Sequence, residues 1–129
     1  MSLLAEARAI REMAYAPYSN FKVGAAIRTP SGKVFTGVNV ENAAYPEGTC
    51  AEAGAIAAMI AGGESEIAQI AVIGDAPEPL TPCGGCRQKI AEFAPKGTPV
   101  TMANLAGETR VLPIEALLPH GFAKAQMER

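Results

Sequence analysis

The chain has no tryptophan, one histidine and three cysteines. An odd cysteine count does not suit a disulfide framework, which prefers pairs and a secretory route. In a cytosolic chain the same residues are more often metal-binding or catalytic. No apolar run is long enough to cross a bilayer, and no cluster of Lys and Arg stands out. Net charge is −2, which argues against a protein built to grip a phosphate backbone. The stretch 2–15 carries Glu6, Arg8, Arg11 and Glu12 and lacks the apolar centre of a secretory signal. These absences predict a cytoplasmic protein that binds neither membrane nor nucleic acid.

What is present suits one globular domain over residues 1–129, with 49% hydrophobic and 19% charged residues. Roughly two thirds of the unfolded surface can be buried at this size, so a core needs no disulfides. There is no internal repeat, low-complexity tract or long linker. Leu3, Leu4, Ala7, Ile10 and Ala14 recur at helical spacing and predict an amphipathic helix over 3–15. Strands are expected at 22–29 and 34–40 around a turn at Pro30-Ser31-Gly32-Lys33. Residues 41–49 are expected as loop. Residues 51–61 are apolar on nearly all sides and predict a buried helix ended by Gly62-Gly63. A buried strand over 67–74, a proline-rich loop over 75–82 and a helix over 84–93 follow. Strands at 99–104 and 109–112 and a short helix at 114–118 complete an α/β order in which the two middle helices pack together on one face of the sheet.

The chemistry concentrates where those two helices begin. Cys50 precedes one, and Cys83 and Cys86 open the other. Helix N-termini carry unpaired N–H groups and partial positive charge, which favour thiolate over thiol. Cys-x-x-Cys alone is compatible with zinc binding, redox chemistry or an incidental core pair. The upstream Cys50 discriminates among these. Three thiolates at about 2.3 Å from zinc leave one tetrahedral position for water, as a catalytic site requires. His120 is the sole histidine available to close it, and it lies outside any paired-ligand spacing. Glu52 sits on the first turn of an apolar helix, where a carboxylate is costly unless paired. It is either a simple helix-start charge or a group that moves protons beside the metal.

Cys50-Ala51-Glu52 with Pro82-Cys83-Gly84-Gly85-Cys86-Arg87-Gln88 resembles the cytidine deaminase family, whose zinc-deaminase signature allows three cysteine ligands. Tyr18-Ser19-Asn20-Phe21-Lys22-Val23-Gly24-Ala25-Ala26, Gly37-Val38-Asn39-Val40-Glu41-Asn42-Ala43 and Leu117-Leu118-Pro119 with Phe122 are similar to further family segments in the same order. The resemblance implies a three-layer α/β/α fold with a mixed sheet of about five strands. It implies one Zn²⁺ per subunit held by Cys50, Cys83 and Cys86, with Glu52 as the proton carrier. The implied reaction converts cytidine or deoxycytidine to the uracil nucleoside and ammonia, in pyrimidine salvage. The alternatives are a blasticidin-S-type aminopyrimidine deaminase, or a non-catalytic zinc module for assembly.

By the same resemblance Asn39 and Glu41 bond the ribose hydroxyls of a free pyrimidine nucleoside, and residues two apart on a strand share a face. Phe21 is expected against the nucleoside, or as an ordinary core phenylalanine. Backbone at Ala51 and around Thr81-Pro82 is expected to read the pyrimidine edge. Tyr45 and Phe122 are expected to reach a neighbouring subunit's site in a homotetramer, with Tyr45 as a loop anchor the other reading. The sequence departs from the resemblance at Ala53 and Gly54. Relatives with three cysteines commonly carry Arg directly after the Glu, where it offsets thiolate charge, and a larger residue next. Arg87, bonded to a cysteine sulfur or to the adjacent chain, is therefore expected to compensate charge, with a solvated place on the helix exterior the other reading, and Gly54 is expected to alter the pocket floor.

Overall fold

The first strand shows how the layers arise. In the computed structural model, which describes residues 1–128, β1 (Val23–Arg28) is buried on both faces. Its side chains alternate. Val23, Ala25 and Ile27 join one apolar cluster, and Ala26 joins another. Two helical layers therefore have to cover it.

On one side lies α1 (Leu3–Arg11), with Leu3 and Ala7 against Ala26, Ala71, Ile73 and Ala103. Ser2 caps it, its Oγ accepting from Ala5 N at 3.1 Å. On the other side lie α2 (Ala51–Ala61) and α3 (Gly84–Phe93), packed on each other and on the sheet through Ala55, Met59 and Ile90. Between the layers runs a five-stranded sheet. It comprises β1, β2 (Val34–Val38), β3 (Gln69–Gly74), β4 (Pro99–Asn104) and β5 (Thr109–Pro113), in the order β2-β1-β3-β4-β5. Only β3 and β4 pair in parallel, joined through α3; the other three pairings are antiparallel. The chain is thus a three-layer α/β/α structure with a mixed sheet, as the resemblance implies. A short α4 (Ile114–Leu117) follows β5.

The turn between β1 and β2 falls where the sequence places it, with Gly32 at φ +91°, a region open to glycine without steric cost. Two elements are shorter than the pattern suggests. The first helix ends at Arg11 rather than near residue 15, because Tyr15 leaves it to pair with the strand end: Tyr15 N donates to Asn39 O at 3.1 Å and Glu41 N to Tyr15 O at 2.8 Å. The second strand ends at Val38, and Val40 makes isolated bridges to Tyr15 and Thr49. Tertiary pairing overrides the local period here. The 41–49 loop also contains a helical turn, Tyr45–Glu47.

One close helix–sheet approach has no side chain in it. A methyl group on Gly37 of β2 would overlap Ala51 O and Ala55 N of α2 and sit 2.7 Å from Gly54 C. A methyl on Gly54 would lie 3.5 Å from Gly37 Cα. The expectation that Gly54 shapes a pocket floor is therefore corrected: it faces β2 and lets the helix settle on the strand. Gly37→Ala is expected to destabilise the fold by about 1–3 kcal/mol through overpacking. Thermal unfolding of the variant measures the loss, and an unchanged midpoint would contradict the packing account.

Candidate active site

β2 and β3 run in the same direction, so their carboxyl ends, at Val38 and Gly74, lie at one end of the sheet beside the start of β1. Both α2 and α3 begin at that end. Ligand sites in α/β sheets commonly form outside strand carboxyl ends, and two helix N-termini add positive potential. The residue before each helix, Cys50 and Cys83, stands where Ser, Thr, Asp or Asn usually caps, and neither makes a capping hydrogen bond. Local helix stability is given up at both positions to leave sulfur facing the site.

Cys50 Sγ and Cys86 Sγ lie 2.6 Å apart. With a carboxylate oxygen of Glu52 they form a group whose ligand atoms are all within 4.8 Å of one another. Cys83, exposed at the mouth, lies outside that tight group. It lines the same cavity of about 150 Å³, together with Val23, Asn39, Ala51, Leu80 and Thr81. All three cysteines are free thiols. Two sulfurs in contact, a third on the cavity wall and a neighbouring carboxylate make a soft donor set suited to zinc.

The electrostatics favour deprotonation of Cys50 and keep the proton on its two neighbours. The hydrogen bond from Cys86 lowers the Cys50 pKa to about 6, against the opposing effect of burial, and the charge of Lys89 assists. Cys86 holds its own proton correspondingly hard, chiefly because Cys50 accepts it. Glu52 is only 5% exposed, which decides its behaviour. Burial raises its pKa, and the negative charge at Cys50 adds to this; its own backbone N–H, a hydrogen bond with Cys86 and the charge of Lys89 pull the other way. A carboxyl so placed holds its proton more tightly than a surface carboxylate does, and accepting and releasing a proton is the role a general acid–base needs. The protonated and charged forms are brought closer in energy than on a surface.

A second cavity of about 530 Å³ adjoins the first and shares Asn39 and Cys50 with it. Its walls include Tyr18, Ser19, Glu41, Asn42, Tyr45 and Thr49. That volume suits a small-molecule ligand. Asn39 bridges backbone: its Oδ1 accepts from Val23 N and its Nδ2 donates to Phe21 O, both at 2.8 Å. One lone pair and one N–H of the amide stay available to a ligand. The Glu41 carboxylate accepts from Tyr18 N at 2.9 Å, Ser19 N at 3.1 Å and the Ser19 hydroxyl. The Ser19 hydroxyl leads in holding its pKa below the usual carboxylate range. Tyr18 and Tyr45 meet edge to face on the rim, with centroids 6.1 Å apart.

Other expected residues stand further off. The half-buried Phe21 packs on the α2–α3 core, with its ring against Gly74, behind the cavity wall. Tyr45 is 76% and Phe122 58% exposed, and Phe122 lies beside α3, its carbonyl accepting from Gln88 Nε2 at 2.9 Å. Arg87 does not meet a sulfur. Its guanidinium donates to Pro82 O at 2.8 Å and Leu117 O at 3.0 Å. Two carbonyls facing the helix outcompete weakly accepting sulfur, so Arg87 ties the Cys83 loop to α4. Sequence reading did not single out Ser19, whose amide and hydroxyl both donate to Glu41; a hydroxyl two residues before Phe21 in a quoted segment was the available signal.

Residues 2–102 match the family described as the cytidine and deoxycytidylate deaminase zinc-binding region. A cytidine deaminase of Sporosarcina psychrophila is 41% identical over 97% of this chain and 92% of its own. One from Halalkalibacterium halodurans is 42% identical over 97% and 95%. The crystal structure of cytidine deaminase from Burkholderia pseudomallei superposes with a TM-score of 0.91 at 46% identity, covering 95% of this chain and 100% of that one. The enzyme from Mycobacterium leprae gives 0.79 at 38% identity, covering 91% and 94%. With the motif cysteines and the buried glutamate gathered at one end of such a fold, the chain belongs to the zinc-binding cytidine and deoxycytidylate deaminase family.

Proposed function

We propose that the chain hydrolyses cytidine, deoxycytidine or both to the uracil nucleoside and ammonia. The observation that carries this is the buried Glu52 carboxyl set against the Cys50–Cys86 sulfur pair in a small cavity that adjoins, through Asn39 and Cys50, a hollow of about 530 Å³. Cys50, Cys83 and Cys86 are the groups that would hold zinc. Bound zinc supplies a Lewis acid that brings the pKa of water near neutrality. Glu52 takes a proton from the attacking water, delivers it to N3 of the pyrimidine, and later passes one to the departing amine. Water adds at C4, the C4–N4 bond breaks, and the products balance as uracil nucleoside plus ammonia. The backbone of Ala51 and Thr81 borders this floor and is suited to reading the base edge.

Asn39 and Glu41 orient the sugar. Asn39 is fixed by two backbone bonds and Glu41 by three donors from residues 18 and 19, so neither has to be ordered when substrate arrives. Phe21 supports Asn39 through its carbonyl. The exposure of Tyr45 and Phe122 supports a homotetramer in which they reach a neighbouring subunit's cavity. Three free thiols suit a reducing, cytoplasmic setting and a salvage role. Among the described residues no helix is long and apolar enough to cross a membrane.

The test is turnover. Purified protein with cytidine, deoxycytidine or blasticidin S is followed by absorbance loss and ammonia release. Turnover of the first two and none of the third is the expected result. Preference for blasticidin S would move the substrate assignment, and inertness towards all three would leave only a zinc module.

A further inference from the structure

We propose that Ser19 is a positioning residue for the sugar: its hydroxyl aims the one carboxylate oxygen of Glu41 that a nucleoside can still use, and links that oxygen to the Asn39 anchor. This rests on the reading that Asn39 and Glu41 hold the sugar.

Glu41 has little acceptor capacity to spare. An ionised carboxylate offers about four lone-pair sites on its two oxygens. Oε1 accepts from Tyr18 N at 2.9 Å and Ser19 N at 3.1 Å, so both of its sites are filled. Oε2 accepts from the Ser19 hydroxyl alone. The single site left over is therefore on the oxygen that Ser19 holds. Without the hydroxyl the carboxylate pivots about Oε1, and Oε2 loses its direction. A water in the same place has no covalent tie to the chain and restores none.

The hydroxyl is itself held. Its oxygen accepts from Phe21 N at 3.0 Å, which leaves its proton directed at Glu41. Asn20 lies between the two residues at φ +57°, a left-handed conformation that asparagine tolerates better than most side chains. The carbonyl of Phe21 accepts from Asn39 Nδ2 at 2.8 Å. One residue thus grips Ser19 with its N–H and Asn39 with its C=O, while its ring is packed on the α2–α3 core. The two sugar anchors are joined through Ser19 and Phe21 to a part of the fold that does not move. Ser19, Asn39 and Glu41 line one cavity of about 530 Å³. The free site on Glu41 Oε2 accepts from a hydroxyl, and the spare N–H of Asn39 donates to a hydroxyl oxygen. A single sugar hydroxyl can satisfy both. The ring hydroxyl that cytidine and deoxycytidine share is the 3′.

The test compares wild type, Ser19→Ala and Ser19→Thr, all zinc-loaded, on cytidine and on 3′-deoxycytidine, with Tm read alongside. Wild type is expected to favour cytidine, because the analogue leaves Glu41 and Asn39 without their partner. Ser19→Ala is expected to raise KM for cytidine about fivefold with kcat unchanged, the mark of lost binding common to ground and transition states. Its KM for 3′-deoxycytidine and its Tm stay at the wild-type values, and Ser19→Thr keeps wild-type kinetics on both substrates. The proposal is overturned if Ser19→Ala discriminates between the two nucleosides as sharply as wild type. It is equally overturned if Ser19→Ala impairs both alike with a fallen Tm, which is a structural role, or if Ser19→Thr fails as badly as Ser19→Ala. Wild type that turns over both nucleosides equally well would sink the sugar reading of Asn39 and Glu41, and this proposal with it.

Discussion

Glu52→Gln is expected to lower kcat for cytidine by about 10²–10⁴-fold, the usual share of a proton-transferring group, while zinc content stays at the wild-type level. Glutamine keeps the volume and one hydrogen-bond acceptor but cannot shuttle a proton. The residue is 5% exposed, so no bulk water reaches in to replace it. The same substitution carries a stability signature. Burial raises the folded-state pKa of Glu52, so the folded chain binds this proton more tightly than the unfolded chain. The acid form is therefore no burden below the ordinary carboxylate range, and stability is lost as pH rises from that range through the raised folded value. Metal-free Glu52→Gln protein is expected to outlast metal-free wild type at neutral pH, with the gap vanishing in acid. Denaturant unfolding at the two pH values measures it; equal stability at neutral pH would contradict the buried-carboxylate account.

Cys86→Ala is expected to abolish both high-affinity zinc binding and turnover. Cys86 is 1% exposed and touches Cys50 at 2.6 Å, so no surface group can substitute for it. The two cysteines stand 36 residues apart in sequence, on different helices. A metal joining them binds the folded chain and not the open one, which at a thousandfold excess over Kd stabilises by about 4 kcal/mol. Calorimetry with and without zinc should show a large upward shift in Tm for wild type and none for Cys86→Ala. A zinc-dependent shift that survives in Cys86→Ala would mean that the metal sits elsewhere.

Much of this was legible because two periodicities and one set of motifs agreed. The apolar runs at 51–61 and 67–74 and the turn at 30–33 placed α2, β3 and β1 within a residue or two. Cys50, Glu52 and Cys86 met because the helices they open share one sheet face and one end. The illegible parts depend on partners distant in sequence. Nothing in residues 12–15 announces that Tyr15 will abandon a helical pattern to pair with the chain at Asn39 and Glu41. Nothing at Arg87 announces that Leu117 O will be waiting for it. Asn39 and Glu41 drew notice in the sequence and line one cavity in the structure, but their tethers to Val23, Phe21 and Ser19 were not legible, since an amide or carboxylate carries no mark of which backbone will claim it.

The bare backbone contact between Gly37 and Gly54 has a mechanical corollary. Side chains at a helix–sheet seam act as springs, since rotamers can give by fractions of an ångström. Here peptide planes rest directly on peptide planes. The strand that leads into Asn39 and the helix that presents Glu52 therefore shift together. The spacing between Asn39 and Glu52 is set at this seam by main chain, with little room for adjustment by side chains.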